Sequence, residues 1–253
     1  MEISKQNYLK KLNKNQMEAI IDLDGPCLIV AGAGSGKTRV LTTRVAHIIN
    51  QKKAWPNQIL CVTFTNKAAK EMQNRIAKFL DEKTSSLPWL GTFHSVSAKL
   101  LRRHAEAVGL NSRFTIIDQE DQLRLIKNIS KAENIDTKKV SPQFILSFIN
   151  HWKNKGLLPG QVVTKKGIPL EKAILKVYSF YQERLKILNS CDFGDLILHC
   201  VTMFENNPDI LDLYLNNFKY ILVDEYQDSN HIQSRWLNLL AKKNNNICCV
   251  GDD

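Results

Sequence analysis

The sequence has no apolar run long enough to span a membrane. Its first residues, Met-Glu-Ile-Ser-Lys-Gln, are polar and lack the apolar core of a signal peptide. No internal repeat or low-complexity segment occurs along the 253 residues. We therefore expect a cytoplasmic protein without a membrane partner.

The six cysteines lack a spacing typical of metal ligands. Cys27, Cys61, Cys248 and Cys249 lie in apolar, strand-like segments, where cysteines are usually reduced core residues. We therefore expect no structural metal site, and we expect free thiols, as in a reducing compartment.

The composition is that of an ordinary globular protein, with 43% hydrophobic and 24% charged residues, but the net charge is +10. Much of the excess lies between Ser112 and Ser190, where 14 Lys and Arg stand against 7 Asp and Glu, a net +7. A basic segment of this kind suggests a polyanionic partner. A solvated, lysine-rich surface would have the same composition, and charge alone does not separate the two interpretations.

The most informative segment is a glycine-rich loop between a predicted strand, Cys27–Val30, and a predicted helix, Arg39–Ile49. In such loops, backbone N–H groups and the helix N-terminus surround a polyphosphate. Lys37 would bind the β- and γ-phosphates, and the Thr38 hydroxyl would hold Mg²⁺. The strand and helix on either side disfavour the alternative, a glycine-rich turn that binds no ligand. The predicted nucleotide-binding residues of the loop are Ala31, Gly32, Ala33, Gly34, Ser35, Gly36, Lys37 and Thr38.

A carboxylate pair supports the nucleotide interpretation. The apolar run Tyr220–Val223 is typical of a central parallel strand, and it ends in Asp224 and Glu225. The carboxyl ends of parallel strands lie on the ligand side of an open α/β sheet. We predict that Asp224 binds the Mg²⁺ shell and that Glu225 orients or deprotonates the attacking water.

The strand and helix signals define two parts of the chain. Strands are predicted at Cys27–Val30, Ile59–Phe64, Trp89–Phe93, Tyr220–Val223 and Ile247–Val250, with helical patterns between them. This alternation predicts an α/β domain with a parallel sheet, formed by residues 1–111 and 191–253. Residues 112–190 have only helical patterns, punctuated by prolines, and we predict an inserted all-helical domain there.

Seven segments carry a family resemblance. In chain order they are Leu12–Gln16, Ala31–Arg39, Val62–Met72, Gly91–Ser95, Asp192–Leu196, Val223–Asn230 and Val250–Asp253. Their order and their amino-acid sequences resemble the motifs of the superfamily 1 DNA helicases of the UvrD/Rep/PcrA type. The resemblance covers essentially the whole chain. It implies a RecA-like P-loop NTPase domain that binds ATP and Mg²⁺. It also implies that the helical insertion, residues 112–190, faces DNA.

The resemblance also implies roles for individual residues. Gln16 would bind the adenine edge, and Arg39 would lie near the adenine. Gln227 would join Lys37 and Glu225 as a catalytic residue by linking the state of the phosphates to the DNA groove.

DNA contacts are predicted after two of the strands. Asn66 has the side chain to cap a helix following the strand Ile59–Phe64. N–H groups at a helix start and nearby hydroxyls and lysines bind phosphates, whereas aromatic rings stack on bases. Two alternatives remain, a core position for Phe64 and a loop-bonding role for His94. The candidate DNA contacts are Thr63, Phe64, Thr65, Asn66, Lys67, Phe93 and His94.

Helicases of this type have a second RecA-like domain in cis, with motifs IV to VI and arginines that contact the γ-phosphate. The sequence printed here ends at Asp253, within motif III. We therefore expect the ATP-binding half of a 3′-to-5′ helicase acting on single-stranded DNA and single-strand/duplex junctions. Alone, it should bind ATP and hydrolyse it poorly. The alternatives are the motor portion of a helicase–nuclease and a nucleotide-dependent DNA-binding module without motor activity.

Overall fold

A computed structural model describes residues 7–10, 12–32, 34–80, 86–135, 140–164 and 169–252. Within these ranges, the helices are α1 (Lys14–Ile21), α2 (Lys37–Asn50), α3 (Asn66–Ala77), α4 (Phe93–Arg103), α5 (Gln119–Ala132), α6 (Pro142–Asn154), α7 (Pro169–Ile187), α8 (Phe193–Asn206), α9 (Pro208–Asn217) and α10 (His231–Ala241). The strands are β1 (Cys27–Val30), β2 (Ile59–Thr63), β3 (Leu90–Thr92), β4 (Thr115–Ile116), β5 (Ser190–Cys191), β6 (Tyr220–Val223) and β7 (Ile247–Gly251).

The contacts divide the chain into two compact units. The first contains the described residues of Met1–Val96, Pro208–Ser229 and Leu237–Asp253, and the second contains those of Ser97–Asn207 and Asn230–Trp236. The second unit is larger than the insertion predicted from the sequence at 112–190. It also takes in α8, which packs on α6 within the same unit.

The first unit is built on a five-stranded sheet in the order β1-β7-β6-β2-β3, and every neighbouring pair is parallel. The α/β fold with a parallel sheet is therefore confirmed. Val30 pairs with Gly251, and Val223 pairs with Cys249. The carboxyl ends of β1, β7 and β6 consequently lie side by side at one edge of the sheet.

One face of this sheet packs against α2 and α3, because alternate residues of each strand point to that face. The buried cluster there includes Leu41, Val45, Ile48, Met72 and Ile76 from the helices. The matching strand residues are Ile59, Cys61, Tyr220, Leu222, Cys248 and Val250, with Cys27 and Ile29 partly buried beside them. Burying this apolar surface fixes α2, and with it the loop that precedes α2.

Arg44 is a buried charge that connects α2 to α1. Its guanidinium is 2% exposed and donates hydrogen bonds to the carbonyl oxygens of Ala19 and Asp22 at the end of α1. The last carbonyls of a helix lack partners within it, so a cation there is favourable. Arg44 thus has a structural role in α1 and is turned away from the loop before α2.

The second unit has a helical core. Residues of α5, α6 and α7 form it, among them Ile126, Ile149, Trp152, Val177 and Tyr181. The short strands β4 and β5 pair in parallel, with Thr115 opposite Ser190. This pair corrects the expectation of an all-helical insertion. Two residues per strand are too few to produce an alternating pattern in the sequence.

The buried Lys153 binds two carboxylates in the second unit. Its Nζ lies 2.6 Å from Asp192 Oδ2 and 2.7 Å from Asp195 Oδ1, and all three side chains are at most 1% exposed. The Tyr181 hydroxyl donates a further hydrogen bond to Asp192. Burial raises the pKa of Asp195, but the Lys153 charge outweighs burial and brings that pKa to about 2. Burial and the nearby Asp195 charge raise the pKa of Asp192. Lys153 therefore compensates one of the two carboxylate charges.

In the part of the chain that the structure describes, no helix combines the length and the apolar character needed to cross a membrane.

We expect Lys153→Met to destabilise the protein by about 3–5 kcal/mol, because it leaves two buried carboxylates without their counter-charge. Urea unfolding followed by tryptophan fluorescence measures the change. Lys155→Met is the matched control, since Lys155 is exposed on the same helix end and should change stability by less than about 0.5 kcal/mol. Equal stabilities of the two variants would show that the Lys153 ion group contributes nothing.

Candidate functional site

The glycine-rich loop joins β1 to the N-terminus of α2. Gly34 and Gly36 have φ of 78° and 89°, a backbone region that residues with a Cβ rarely adopt. The Ala31 N–H donates to the carbonyl oxygen of Gly251, at the end of β7, over 3.2 Å. Ala33 lies outside the described residues. The conformation of Gly34 and Gly36 explains why glycine is needed at these two positions.

Lys37 is the first residue of α2, and its ammonium group lies within the loop. It donates to the carbonyl oxygens of Ala31, over 2.7 Å, and Gly32, over 3.0 Å. It also forms an ion pair with the carboxylate of Asp252, directly after β7. Lys37 is 9% exposed, so this charge is held in a largely enclosed position. A phosphate that binds Lys37 must compete with these three oxygens.

Asp224 lies beside Thr38 at the end of β6. The Thr38 side chain is near enough to the Asp224 carboxylate to act on its pKa. Burial, and then the nearby charge of Glu225, raise the pKa of Asp224 to about 6. Among the described side chains, none hydrogen bonds to the buried Oδ1 atom of Asp224. A hydroxyl and a buried carboxylate oxygen are ligands that Mg²⁺ prefers, so these residues fit the predicted cation.

Glu225 and Gln227 follow β6, and the Gln227 side chain contacts the residue that follows β7. Glu225 has a φ of 54°, which is unusual for a residue with a long side chain and indicates local strain. Gln227 Nε2 donates to Glu225 Oε2 over 2.6 Å, and Gln227 Oε1 accepts from the Asp252 N–H over 3.1 Å. A Cβ at Gly251 would lie 2.8 Å from Gln227 Oε1, so a larger residue there would displace the Gln227 amide. Gln227 therefore bridges the Glu225 carboxylate and the backbone of Asp252, and the Asp252 side chain pairs with Lys37.

Gln16, in α1, contacts the glycine-rich loop. It completes a capping box with Asn13 at the start of α1, and its Nε2 donates to the Ser35 carbonyl oxygen over 3.0 Å. Arg39 donates to the Lys10 carbonyl oxygen over 3.2 Å. Gln16 thus lies next to the loop, with both ends of its amide hydrogen bonded. The adenine contacts of Gln16 and Arg39 remain predictions.

Residues 63–67, from the end of β2 to the start of α3, include five of the candidate DNA contacts. Thr65 has an extended backbone, and its hydroxyl accepts from the Ala68 N–H over 3.1 Å. The cap of α3 is therefore Thr65, and the expectation that Asn66 caps the helix was wrong, because Asn66 is already its first helical residue. Thr65, Asn66 and Lys67 are exposed at the N-terminus of α3.

The other candidate DNA contacts are less accessible. Thr63 is 1% exposed and donates to the Thr65 carbonyl oxygen over 3.0 Å. The rings of Phe64 and Phe93 pack with their centroids 5.3 Å apart, and Phe93 is 1% exposed. Burial lowers the pKa of His94. In this structure Thr63 and Phe93 support the surface rather than form it, and their DNA contacts remain predictions.

Sequence patterns did not identify the pairing of Asp252 with Lys37 or the close approach of Gln227 to Gly251. The available signal was a carboxylate two residues after a predicted strand, Ile247–Val250. That signal became informative only with the strand order, which places β7 between β1 and β6.

The chain is similar in sequence to several known proteins. Residues 12–253 match the family described as UvrD/REP helicase N-terminal domain. The chain is 46% identical over 254 residues to a probable DNA helicase II homolog of Rickettsia felis, covering 99% of this chain and 38% of that protein. It is 47% identical to DNA helicase II of Rickettsia typhi, covering 98% of this chain and 38% of that protein. It is 43% identical to the ATP-dependent DNA helicase PcrA of Staphylococcus aureus, covering 96% of this chain and 33% of that protein.

Asp252→Asn removes the charge that competes with phosphate for Lys37. We expect the affinity for ADP, measured by titration calorimetry with EDTA present, to rise by up to about fivefold, because a partly exposed ion pair contributes up to about 1 kcal/mol. Asp24→Asn is the control, since Asp24 is exposed and its carboxylate is 3.9 Å from Lys53. An unchanged or weaker ADP affinity in Asp252→Asn would contradict the competition.

Proposed function

Because the chain belongs to the UvrD/REP helicase family, in which it matches the N-terminal domain, we propose that it is the ATP-binding part of a DNA helicase. In this proposal, Mg²⁺-dependent ATP hydrolysis drives movement along single-stranded DNA and opening of single-strand/duplex junctions. The 3′-to-5′ direction is taken from the family resemblance. The observation that carries the proposal is the convergence of Lys37, Thr38, Asp224 and Glu225 at adjoining strand ends.

Each of these groups has a chemical task in the proposal. Lys37 neutralises the β- and γ-phosphates, replacing the oxygens that it contacts in this structure. Thr38 and Asp224 would hold Mg²⁺, which supplies charge neutralisation to the phosphates when bound. Glu225 accepts a proton from the attacking water, and its carboxylate is held for this purpose by Gln227.

Gln227 also offers a route for coupling. Its side chain contacts both Glu225 and the backbone of Asp252, which in turn pairs with Lys37. A phosphate that binds Lys37 displaces Asp252, and a movement of Asp252 in turn changes the contact of its backbone with Gln227. We propose that this chain of contacts is the means by which phosphate state reaches the DNA-binding surface, with Gln227 as its central residue.

For DNA, the exposed start of α3 supports a contact with phosphates. Thr65, Asn66 and Lys67 combine a helix N-terminus, an amide and a positive charge, and each of these groups binds phosphate oxygens. The basic excess in residues 112–190 supports a second, duplex-binding surface. Binding through these charges should weaken as salt rises, because bound phosphates release counterions.

The chain spans between 33% and 38% of the length of the curated relatives that it matches. Translocation in the proposal needs a second RecA-like domain that closes on ATP and opens after hydrolysis. Arginines that contact the γ-phosphate typically supply about 10³–10⁵ in rate. The 253-residue chain alone is therefore proposed to bind Mg·ATP, to hydrolyse it very slowly and to separate no strands.

Two substitutions separate binding from chemistry in this chain. Lys37→Ala should weaken Mg·ATP binding at least about tenfold, because it removes a charged hydrogen-bond donor. Glu225→Gln should keep the affinity and lower the single-turnover rate by about 10²–10⁴, because it removes the proton acceptor. A fluorescent ATP analogue measures binding, and radiolabelled ATP with excess protein measures hydrolysis. Unchanged binding in Lys37→Ala, or the parental rate in Glu225→Gln, would contradict the assignment.

Lys67→Ala tests the DNA contact at the start of α3. The affinity for a single-stranded oligonucleotide falls as salt rises. We expect the slope of log affinity against log salt to become less negative by about 0.7, the value for one phosphate contact. Lys78→Ala is the matched control, because Lys78 is exposed at the opposite end of the same helix. Fluorescence anisotropy at several salt concentrations measures both slopes. Equal slopes for the two variants would show that Lys67 does not bind a phosphate.

A further inference from the structure

Two cysteines lie side by side on neighbouring strands of the main sheet. In the parallel pairing of β1 with β7, Cys27 is directly opposite Cys248. Neighbouring strands are about 4.8 Å apart, which is within the Cα separation of about 4.4–6.8 Å found in disulfides. Both side chains point to the face covered by α2 and α3, since Cys248 belongs to that buried cluster and Cys27 packs against it. The two thiols are therefore neighbours on this covered face of the sheet.

The two thiols differ in access and in acidity. Cys27 is partly exposed, whereas Cys248 is 2% exposed. The neighbouring Cys248 thiol, assisted by the nearby Arg44 charge, outweighs burial and lowers the pKa of Cys27 to about 6. The proximity of Cys27 and burial raise the pKa of Cys248. Cys27 is therefore the accessible thiolate, and Cys248 is a thiol placed next to it.

The other cysteines lack this combination. Cys61, Cys191, Cys200 and Cys249 are buried, and burial raises the pKa of each thiol. Cys249 follows Cys248 in β7, but successive strand residues point to opposite faces, so its side chain is turned away from Cys27. Reaction with an oxidant should consequently begin at Cys27.

We propose that Cys27 and Cys248 form an oxidation-sensitive pair, which hydrogen peroxide converts to an intramolecular disulfide. In the first step the Cys27 thiolate attacks one peroxide oxygen, the O–O bond breaks, and hydroxide leaves. The sulfur loses two electrons to become a sulfenic acid, and the peroxide gains them. In the second step the Cys248 sulfur attacks the Cys27 sulfur. The S–S bond forms, the S–O bond breaks, and the hydroxyl leaves as water with the Cys248 proton.

The bridge would join the strand that leads into the loop around Lys37 to the strand that leads to Asp252. It would lie at the opposite ends of these strands from the loop, since Cys27 and Val30 are the first and last residues of β1. The pair is therefore a modification site separate from the nucleotide contacts, and its existence does not depend on ATP binding.

The test uses the whole 253-residue chain, reduced, freed of reductant and treated with hydrogen peroxide. Remaining thiols are alkylated, and a non-reducing digest is analysed by mass spectrometry. We expect a Cys27–Cys248 linked peptide that has lost two hydrogens and that dithiothreitol separates. Loss of free thiols without this linked peptide, or disulfide-linked dimers in its place, would overturn the proposal.

Variants assign the bridge, because Cys248 and Cys249 are adjacent in the same peptide. Cys249→Ser should form the bridge as the parent does, whereas Cys27→Ser and Cys248→Ser should not form it. In Cys248→Ser the oxidised Cys27 has no partner, so dimedone should label it as a sulfenic acid. A bridge that persists in Cys248→Ser and disappears in Cys249→Ser would show that the partner of Cys27 is Cys249, contrary to the proposal.

Discussion

The candidate site depends on the parallel alignment of β1, β7 and β6. Because neighbouring strands run in the same direction, their carboxyl ends meet at one edge of the sheet. The residues that follow these ends are Ala31, Asp252 and Asp224, from segments far apart in the chain. One lysine ammonium, one aspartate that pairs with it and one buried carboxylate thereby come together. Reversing any of these strands would send its terminal residues to the other edge and dismantle the site.

Several groups at this edge are held in states that cost free energy. Lys37 is a largely enclosed charge, Asp224 is a buried carboxylate with a raised pKa, and Glu225 has a strained backbone. Such costs persist in folded proteins chiefly where function requires them. A polyphosphate would take the place of Asp252 at Lys37, and a divalent cation would neutralise the Asp224 carboxylate. The same features that are unfavourable to the protein alone are thus those that fit a Mg²⁺-nucleotide.

Local patterns predicted the elements of this fold closely. Two of the predicted strands match exactly in extent, Cys27–Val30 and Tyr220–Val223, and the others end within a residue or so of the observed bounds. Phe93 differs in the type of element, because the pattern predicts a strand there and the residue is the first of α4. The glycine loop and the carboxylate pair were identifiable because each is a short run of adjacent residues, whose chemistry depends on local spacing.

Contacts between distant segments were not predictable in the same way. Lys37 and Asp252 are brought together by strand order, which a single sequence does not specify. The Lys153 group and the Cys27–Cys248 pair depend equally on long-range packing. Thr65 rather than Asn66 caps α3 because the helix begins one residue earlier than its pattern indicated. Helix ends and strand order are set by tertiary packing, which outweighs local preference.

The most direct test of the account is a crystal structure of this chain with Mg²⁺ and ADP. The account predicts that the Lys37 ammonium leaves Asp252 and binds the β-phosphate within the loop. It also predicts that the cation lies beside the Thr38 hydroxyl, on the side of Asp224 Oδ1. ADP bound elsewhere on the chain, or bound in the loop with the Lys37–Asp252 ion pair intact, would contradict it.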